Sequence, residues 1–253
     1  MTSDNFTSWR VMGAGISGTS HADGQSQDAH AWQLANGWLL LVASDGVGSE
    51  PLSALGSKLA VSTVLDAFSR DVVSADLDQD AVRQWIGEAH RALAQKAAAD
   101  GQPVHSFGCT LLVLAANGEQ VICGQVGDGY CVGGDVGGYR LLVDPVDLGA
   151  TNLTHTLTDP AFAELVRTAS DAAPRRVALL TDGLDMHSFD NEAGVVYAPF
   201  FDLLFPHLEA SGAQDDDLNT RLASYLESDV VAALSRDDKT LLLATRADSH
   251  EHP

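Results

Sequence analysis

The chain has 253 residues, 45% of them hydrophobic, which is enough to bury a full core in one globular domain without disulfide or metal staples. Its 35 acidic and 14 basic side chains leave a formal charge of −21 with no basic cluster, which excludes tight binding to a nucleic-acid backbone, since that requires cationic groups against the phosphates. No apolar run reaches the about 18 residues of a membrane span, and MTSDNFTSWR lacks the pattern of a secretory leader, so a cytoplasmic protein away from membranes is expected.

Residues 8–17 and 30–43 read as strands, the second broken by Asn36-Gly37, a pair suited to a tight hairpin because both residues tolerate positive φ. An opening meander is expected. SALGSKLAVSTVLDAFS (53–69) and DQDAVRQWIGEAHRALAQKAAAD (78–100) carry apolar residues at helical spacing, which predicts two consecutive helices. CTLLVLAANGEQVICGQVGD (109–128) reads as a second hairpin about Asn117-Gly118, and CVGGDVGGYRLLV (131–143) as its continuation in the same meander. A helix with Pro160 in its first turn is expected over 159–170, then a central strand in RRVALLTD (175–182). Residues 196–234 read as helical pieces, with AQDDD (213–217) as a charged helix start, and KTLLLATR (239–246) as a last strand. AAAD near residue 97 resembles a connector. Runs of antiparallel strands separated by helix pairs imply an α+β layered fold rather than a doubly wound parallel sheet.

Cys109, Cys123 and Cys131 lack CxxC spacing and lie in or beside apolar segments, which points to packed thiols rather than a zinc site or disulfides. Trp9, Trp32, Trp38, Trp85 and Met186 are assigned to packing for the same reason.

Four apolar strands border on aspartate. Asp45 follows WLLLVAS, Asp128 follows VICGQVG, Asp182 follows RVALLT, and Asp237 with Asp238 precedes KTLLLATR. Each alone is also what a turn looks like, with the carboxylate on backbone amides and a following Gly at positive φ. Gathered at one rim, however, four such side chains would repel strongly, and hard divalent cations relieve that repulsion because Mg and Mn prefer oxygen ligands. Gly46, without a Cβ, could bring its carbonyl close enough to serve as a ligand. Two ions about 3.5–4 Å apart that share a carboxylate and acidify a water supply the chemistry of phosphoester hydrolysis.

In order along the chain, QDAH (27–30), SDGVGSEPLSALGSKLAV (44–61), GCTLLVLAANGEQVICGQVGDGYCV (108–132), LLTDGLDM (179–186) and DDKTLLLATR (237–246) resemble the motifs of the metal-dependent type 2C family of serine/threonine protein phosphatases, in a divergent bacterial form. The resemblance implies a four-layer αββα sandwich, two antiparallel β-sheets flanked by helix pairs, with a binuclear Mn or Mg centre at one edge. It implies direct attack on phosphorus by a metal-activated water, with a phosphorylated protein as substrate and a Ser/Thr kinase or that kinase's target as partner. By motif match, Asp45 bridges the metals and Gly46 offers its carbonyl to one. Asp182 and Asp237 hold the other ion, Asp28 supports the site through waters, and Asp128 helps bind the third ion of bacterial members. Asp237 is preferred to Asp238 because Thr240 aligns best with the threonine after the family's Asp-Asn pair.

Departures from the pattern bear on the phosphate. The family places an Arg shortly before its acidic pair, whereas GTSHADGQSQDA (18–29) has none. His21 is the candidate replacement, as phosphate contact or proton donor, against the alternative of a lone surface histidine. Gln27 stands where many relatives carry Glu, Asp238 replaces the common Asn, and Val47 excludes the His that eukaryotic relatives place there. A catalytically weak or inactive regulatory module on the same fold is the alternative reading. LLTDGLD spaces its aspartates by three residues, which does not fit the haloacid dehalogenase pattern.

Overall fold

The computed structural model of the protein describes residues 9–19, 25–73, 76–144, 154–190, 192–210 and 215–246. The chain opens with β1 (Trp9–Ile16), β2 (Ala29–Ala35) and β3 (Trp38–Ser44), then α1 (Ser53–Asp71) and α2 (Gln79–Asp100). A 3-10 turn (Val104–Phe107) leads into β4 (Leu111–Ala116), β5 (Gln120–Val126), β6 (Tyr130–Asp135) and β7 (Gly138–Leu141). Next come the single turn α3 (Phe162–Leu165), β8 (Arg167–Ala172), β9 (Arg176–Leu180), a 3-10 turn (Asp182–Leu184), α4 (Asp185–Ser188) and the short strands β10 (Phe189–Asp190) and β11 (Val195–Val196). The chain closes with α5 (Ala198–Glu209), α6 (Asp215–Leu226), α7 (Asp229–Ala232) and β12 (Lys239–Arg246).

Two five-stranded sheets form, in the orders β2-β3-β4-β5-β8 and β1-β12-β9-β6-β7, and every pairing in them is antiparallel. Strand β3 shows why they stack. All seven of its residues are buried, and because successive side chains point to opposite faces, each face needs its own apolar cover. Trp38, Leu40 and Val42 pack with α1 and α2, whereas Leu39, Leu41 and Ala43 meet Leu179 and Leu242 of the facing sheet. Helices α5 and α6 cover the other outer face through Phe201, Phe205, Leu218 and Leu222. The result is the expected sandwich, helix layers outside two sheets. The α2 helix starts on Asp78, whose side chain accepts from the Ala81 amide at 2.9 Å, and stops on Gly101 at φ 64°. The AAAD stretch is thus the last turn of α2 rather than a connector.

The structure corrects four other expectations. Strand β1 does not join β2 in an opening meander; it pairs with β12, so the first and last strands lie side by side. Likewise β6 leaves β5 for the other sheet and pairs with β9. Both strands are apolar on both faces, so local alternation carries no information about which sheet receives them. Residues 159–170 are not a helix either. Only Phe162–Leu165 turn, and Arg167–Ala172 then extend along β5, because the open edge of that strand offers backbone partners that outweigh local preference. Met186, assigned to packing, is 61% exposed. Trp9, Trp38, Trp85 and the three cysteines are buried as expected, none of the cysteines in a disulfide, and Trp32 packs, partly buried, against the core between the sheets.

Candidate active site

The strands end where the aspartates stand. Asp45 follows β3 and Asp128 follows β5 in one sheet, Asp182 follows β9 and Asp237 precedes β12 in the other, and Asp28 comes just before β2. Antiparallel alternation puts these termini on one rim, and the carboxylates feel one another there. Burial, then the charge and hydrogen bonding of Asp28 and the charges of Asp237 and Asp128, push Asp45 up to about 9. Asp182 is raised to about 8 by burial first, then by Asp45, Asp128 and Asp237. Asp28 rises to about 7, chiefly by burial, although hydrogen bonds with Asp45, Thr240 and Thr181 oppose the rise. Carboxyl groups this far above their ordinary range are short of positive charge.

Backbone pairing fixes the aspartates in place. After β3 the chain keeps company with residues 108–110: the Asp45 amide donates to Thr110 Oγ1 at 2.9 Å, the Thr110 amide donates to the Asp45 carbonyl at 2.8 Å, and Val47 N donates to Gly108 O at 3.0 Å. Thr181 links the sheets, because its hydroxyl donates to Asp28 Oδ2 at 2.9 Å and accepts from the Thr240 amide at 3.0 Å. Thr154 Oγ1 donates to Asp128 Oδ2 at 2.8 Å. Sequence reasoning misses Thr110, Thr154 and Thr181; of these only Thr181, directly before Asp182 in LLTD, carries a local signal.

The adjacent aspartates 237 and 238 divide two tasks. Asp238 is 3% exposed and accepts the Gly18 amide at 2.7 Å and the Gln27 amide at 2.5 Å, which ties the start of β12 to the segments after β1 and before β2. Asp237 is exposed, and its charge is the one that acts on both Asp45 and Asp182. Gln27 turns its backbone to the scaffold, with Ser57 Oγ donating to its carbonyl at 2.5 Å. His21 lies outside the described residues.

The glycine after each aspartate serves close approach, not a turn. Neither Gly46 nor Gly183 has positive φ. A Cβ on Gly46 would sit 2.6 Å from the Gln27 carbonyl oxygen, and one on Gly183 only 1.8 Å from the Asp238 carbonyl oxygen. The rim closes only if both stay glycine. Gly183→Ala is expected to cost about 3 kcal/mol in denaturant unfolding, as backbone overpacking does, and to depress activity with it. Gly137→Ala, where nothing lies within 4 Å, is the control and should change neither.

Whether these residues suit divalent cations is decided by donor chemistry and burial. Among the described residues, no three His, Cys, Asp or Glu side chains stand in an arrangement that would hold an ion as it is. The donors are nevertheless all hard oxygens, the kind Mg and Mn take. Asp28 Oδ1 and Asp128 Oδ1 are buried with no hydrogen-bond partner, and a buried acceptor left empty is costly. Cations at this rim would supply that missing partner and reverse the repulsion that raises Asp45 and Asp182, so the site fits.

Comparison with known proteins agrees with this fold. The family model described as Protein phosphatase 2C matches residues 17–227. The chain is 32% identical over 255 residues to Serine/threonine-protein phosphatase 3 of Escherichia coli (strain K12), an overlap of 95% of this chain and 100% of that protein. Its fold is similar to the serine/threonine phosphatase Stp1 from Staphylococcus aureus, with a TM-score of 0.67 at 16% identity over 96% of both chains. It is also similar to PppA, described as a key regulatory component of T6SS in Pseudomonas aeruginosa, with a TM-score of 0.63 at 20% identity over 95% of this chain and 99% of that one. On the matched span and the near full-length identity, the chain belongs to the protein phosphatase 2C family.

Proposed function

We propose that this chain hydrolyses phosphoserine and phosphothreonine in proteins, with two Mn or Mg ions, and a third bound at Asp128, held at the rim described above. The observation that carries the reading is a set of carboxylates, Asp28 buried and Asp45 and Asp182 partly buried, all raised well above the ordinary range by burial first and, at Asp45 and Asp182, by neighbouring carboxylates as well. The whole chain is taken as one domain of this type. No helix among the described residues is long and apolar enough to cross a membrane, and a cytoplasmic site of action, on a phosphorylated Ser/Thr kinase or its target, fits the family.

In this assignment Asp45, the Gly46 carbonyl, Asp182 and Asp237 would hold the ions, and Asp28 would order solvent about them. When bound, the ions supply an acidified water as nucleophile and positive charge for the phosphoryl oxygens. The protein's own part is to hold carboxylates in place before the ions arrive: Thr110 fixes the Asp45 main chain and Thr181 fixes Asp28. Where the family has Arg, His21 is proposed as phosphate contact or proton donor on its place in the sequence. Cys109, the thiol beside Asp45, is fully buried and is pushed up to about 12 by that burial, which disfavours the thiolate a nucleophile needs.

The test is hydrolysis of a phosphothreonyl peptide and an aryl phosphate with Mn, with chelator and in Asp182→Asn. Turnover should require metal, and Asp182→Asn should lower kcat/KM by about 10²-fold or more, the equivalent of roughly 3 kcal/mol of lost charge stabilisation. No metal-dependent turnover of either substrate would favour the regulatory module on this fold. Full activity in Asp182→Asn would refute the ligand assignment while leaving the enzyme class intact.

A further inference from the structure

One buried cation sits inside the acidic rim. Lys239, the first residue of β12, is only 2% exposed, and its aliphatic stem lies along the neighbouring glycine turn, where a Cβ on Gly183 would meet its Cγ at 3.4 Å. Its ammonium donates to the main-chain carbonyl of Asp237 at 2.8 Å. A buried ammonium is costly unless it is compensated, and carboxylates at 237, 238 and 28 are near enough for their charges to act on it. It nevertheless bonds a neutral carbonyl.

That choice of partner has a geometric meaning. Were Lys239 present only to balance charge, a direct pair with a carboxylate would do so better, because Coulomb energy falls with distance. A bond to the Asp237 carbonyl instead fixes the peptide plane that leaves Asp237. Two more bonds hold the same residue: its amide donates to Ser235 Oγ at 3.2 Å, and its Oδ1 accepts from the Asp238 amide at 2.9 Å. Ser235 belongs to the same loop, whereas Asp238 is itself held by the Gly18 and Gln27 amides. Lys239 adds a tie to the sheet, because its own backbone is paired in β12 opposite Ile16. Its side chain ties the main chain of an exposed loop residue to the sheet, as the Asp238 amide ties that residue's carboxylate.

We propose that Lys239 is a positioning residue for Asp237, fixing the direction from which that carboxylate meets Asp45 and Asp182. The inference rests on the reading of Asp237 as a metal ligand. Residues that orient ligands in this way typically cost about 10- to 100-fold in metal affinity when removed.

The test is Mn²⁺ titration, with free ion followed by electron paramagnetic resonance, on wild type, Lys239→Met, Asp237→Asn and the double variant. Lys239→Met keeps the length and apolar bulk of the stem and removes the donor. It should weaken by about 10-fold or more the same binding step that Asp237→Asn removes. The double variant should bind no more weakly than Asp237→Asn alone, because a residue that acts through another adds nothing once that other is gone. Mn²⁺ binding in Lys239→Met that is unchanged or tighter overturns the proposal, as does full additivity in the double variant. Lys239→Gln, whose amide can still donate without carrying charge, should retain affinity closer to wild type than Lys239→Met does; equal losses also overturn it. Should Asp237→Asn itself bind Mn²⁺ as wild type does, the ligand assignment of Asp237 fails, and that result is read separately from any effect at Lys239.

Discussion

Asp45→Asn is expected to abolish phosphatase activity while making the chelated protein more stable. The two effects share a cause. Asp45 is the carboxyl group furthest above its ordinary range, pushed up to about 9 by burial, by Asp28 and by the charges of Asp237 and Asp128. In the metal-free protein its charge is a liability, and the carboxamide introduced by Asp45→Asn removes that liability while still able to donate to Asp28. The same change takes away the negative charge that both ions would share. A loss of about 4 kcal/mol in transition-state stabilisation corresponds to about 10³-fold in kcat/KM. In chelator at pH 8, Tm should rise by a few degrees, the scale of about 1 kcal/mol in a domain of this size. Calorimetry and steady-state kinetics on one preparation decide it. A variant that loses activity and stability together would mean that Asp45 is a structural carboxylate, held by its hydrogen bonds rather than kept against repulsion.

That trade of stability for function explains what the sequence reveals and what it hides. The aspartates are legible because several apolar strands each border on one, more than turns alone call for, and the structure brings Asp28, Asp128, Asp182 and Asp237 all within reach of Asp45. The hairpin at Asn36-Gly37 is legible because both residues take positive φ, 48° and 79°. At Asn117-Gly118 neither does; Asn117 Oδ1 accepts the amides of Glu119 and Gln120, both at 2.8 Å, so the same dipeptide turns the chain by side-chain capping instead. Sheet membership was hidden, since β1 and β6 are apolar on both faces and only their partners β12 and β9 decide where they lie. Thr110, Thr154 and Lys239 were hidden for a related reason. A hydroxyl or an amine declares a role only through the atom it bonds, and those atoms belong to segments distant in sequence or to the main chain. In the sequence the glycines after Asp45 and Asp182 look like turn formers, and Gly46 like a carbonyl ligand. Their space requirement against Gln27 and Asp238 is a property of the closed rim and of nothing local.

The second large effect expected is a metal-dependent stability that grows with pH. Asp28, Asp45 and Asp182 have native values raised to about 7, 9 and 8 from an ordinary 3.8. Below the ordinary value, native and unfolded chains both hold these protons, and the three groups give no pH dependence. Between that value and the native ones the folded protein binds more protons than the unfolded chain, so their contribution makes stability fall as pH rises, levelling off only above about 9. Divalent cations act against this slope, because carboxylates must shed their protons to bind them. At pH 5 Mn²⁺ competes with bound protons and should shift Tm little. At pH 8 a concentration 100 times Kd should restore about 2.7 kcal/mol by mass action, which is roughly 5–10 °C in a domain of this size. Asp45→Asn should flatten both trends, lowering the slope in chelator and the gain from Mn²⁺. Thermal melts at pH 5, 6.5 and 8, with chelator and with Mn²⁺, separate this account from a general ionic effect, for which Mg²⁺, Mn²⁺ and an equal ionic strength of NaCl would shift Tm alike and the shift would not follow pH. An equal Mn²⁺ shift at pH 5 and pH 8 would leave the mutual repulsion of the carboxylates without thermodynamic weight, and with it the physical reason for placing cations among them.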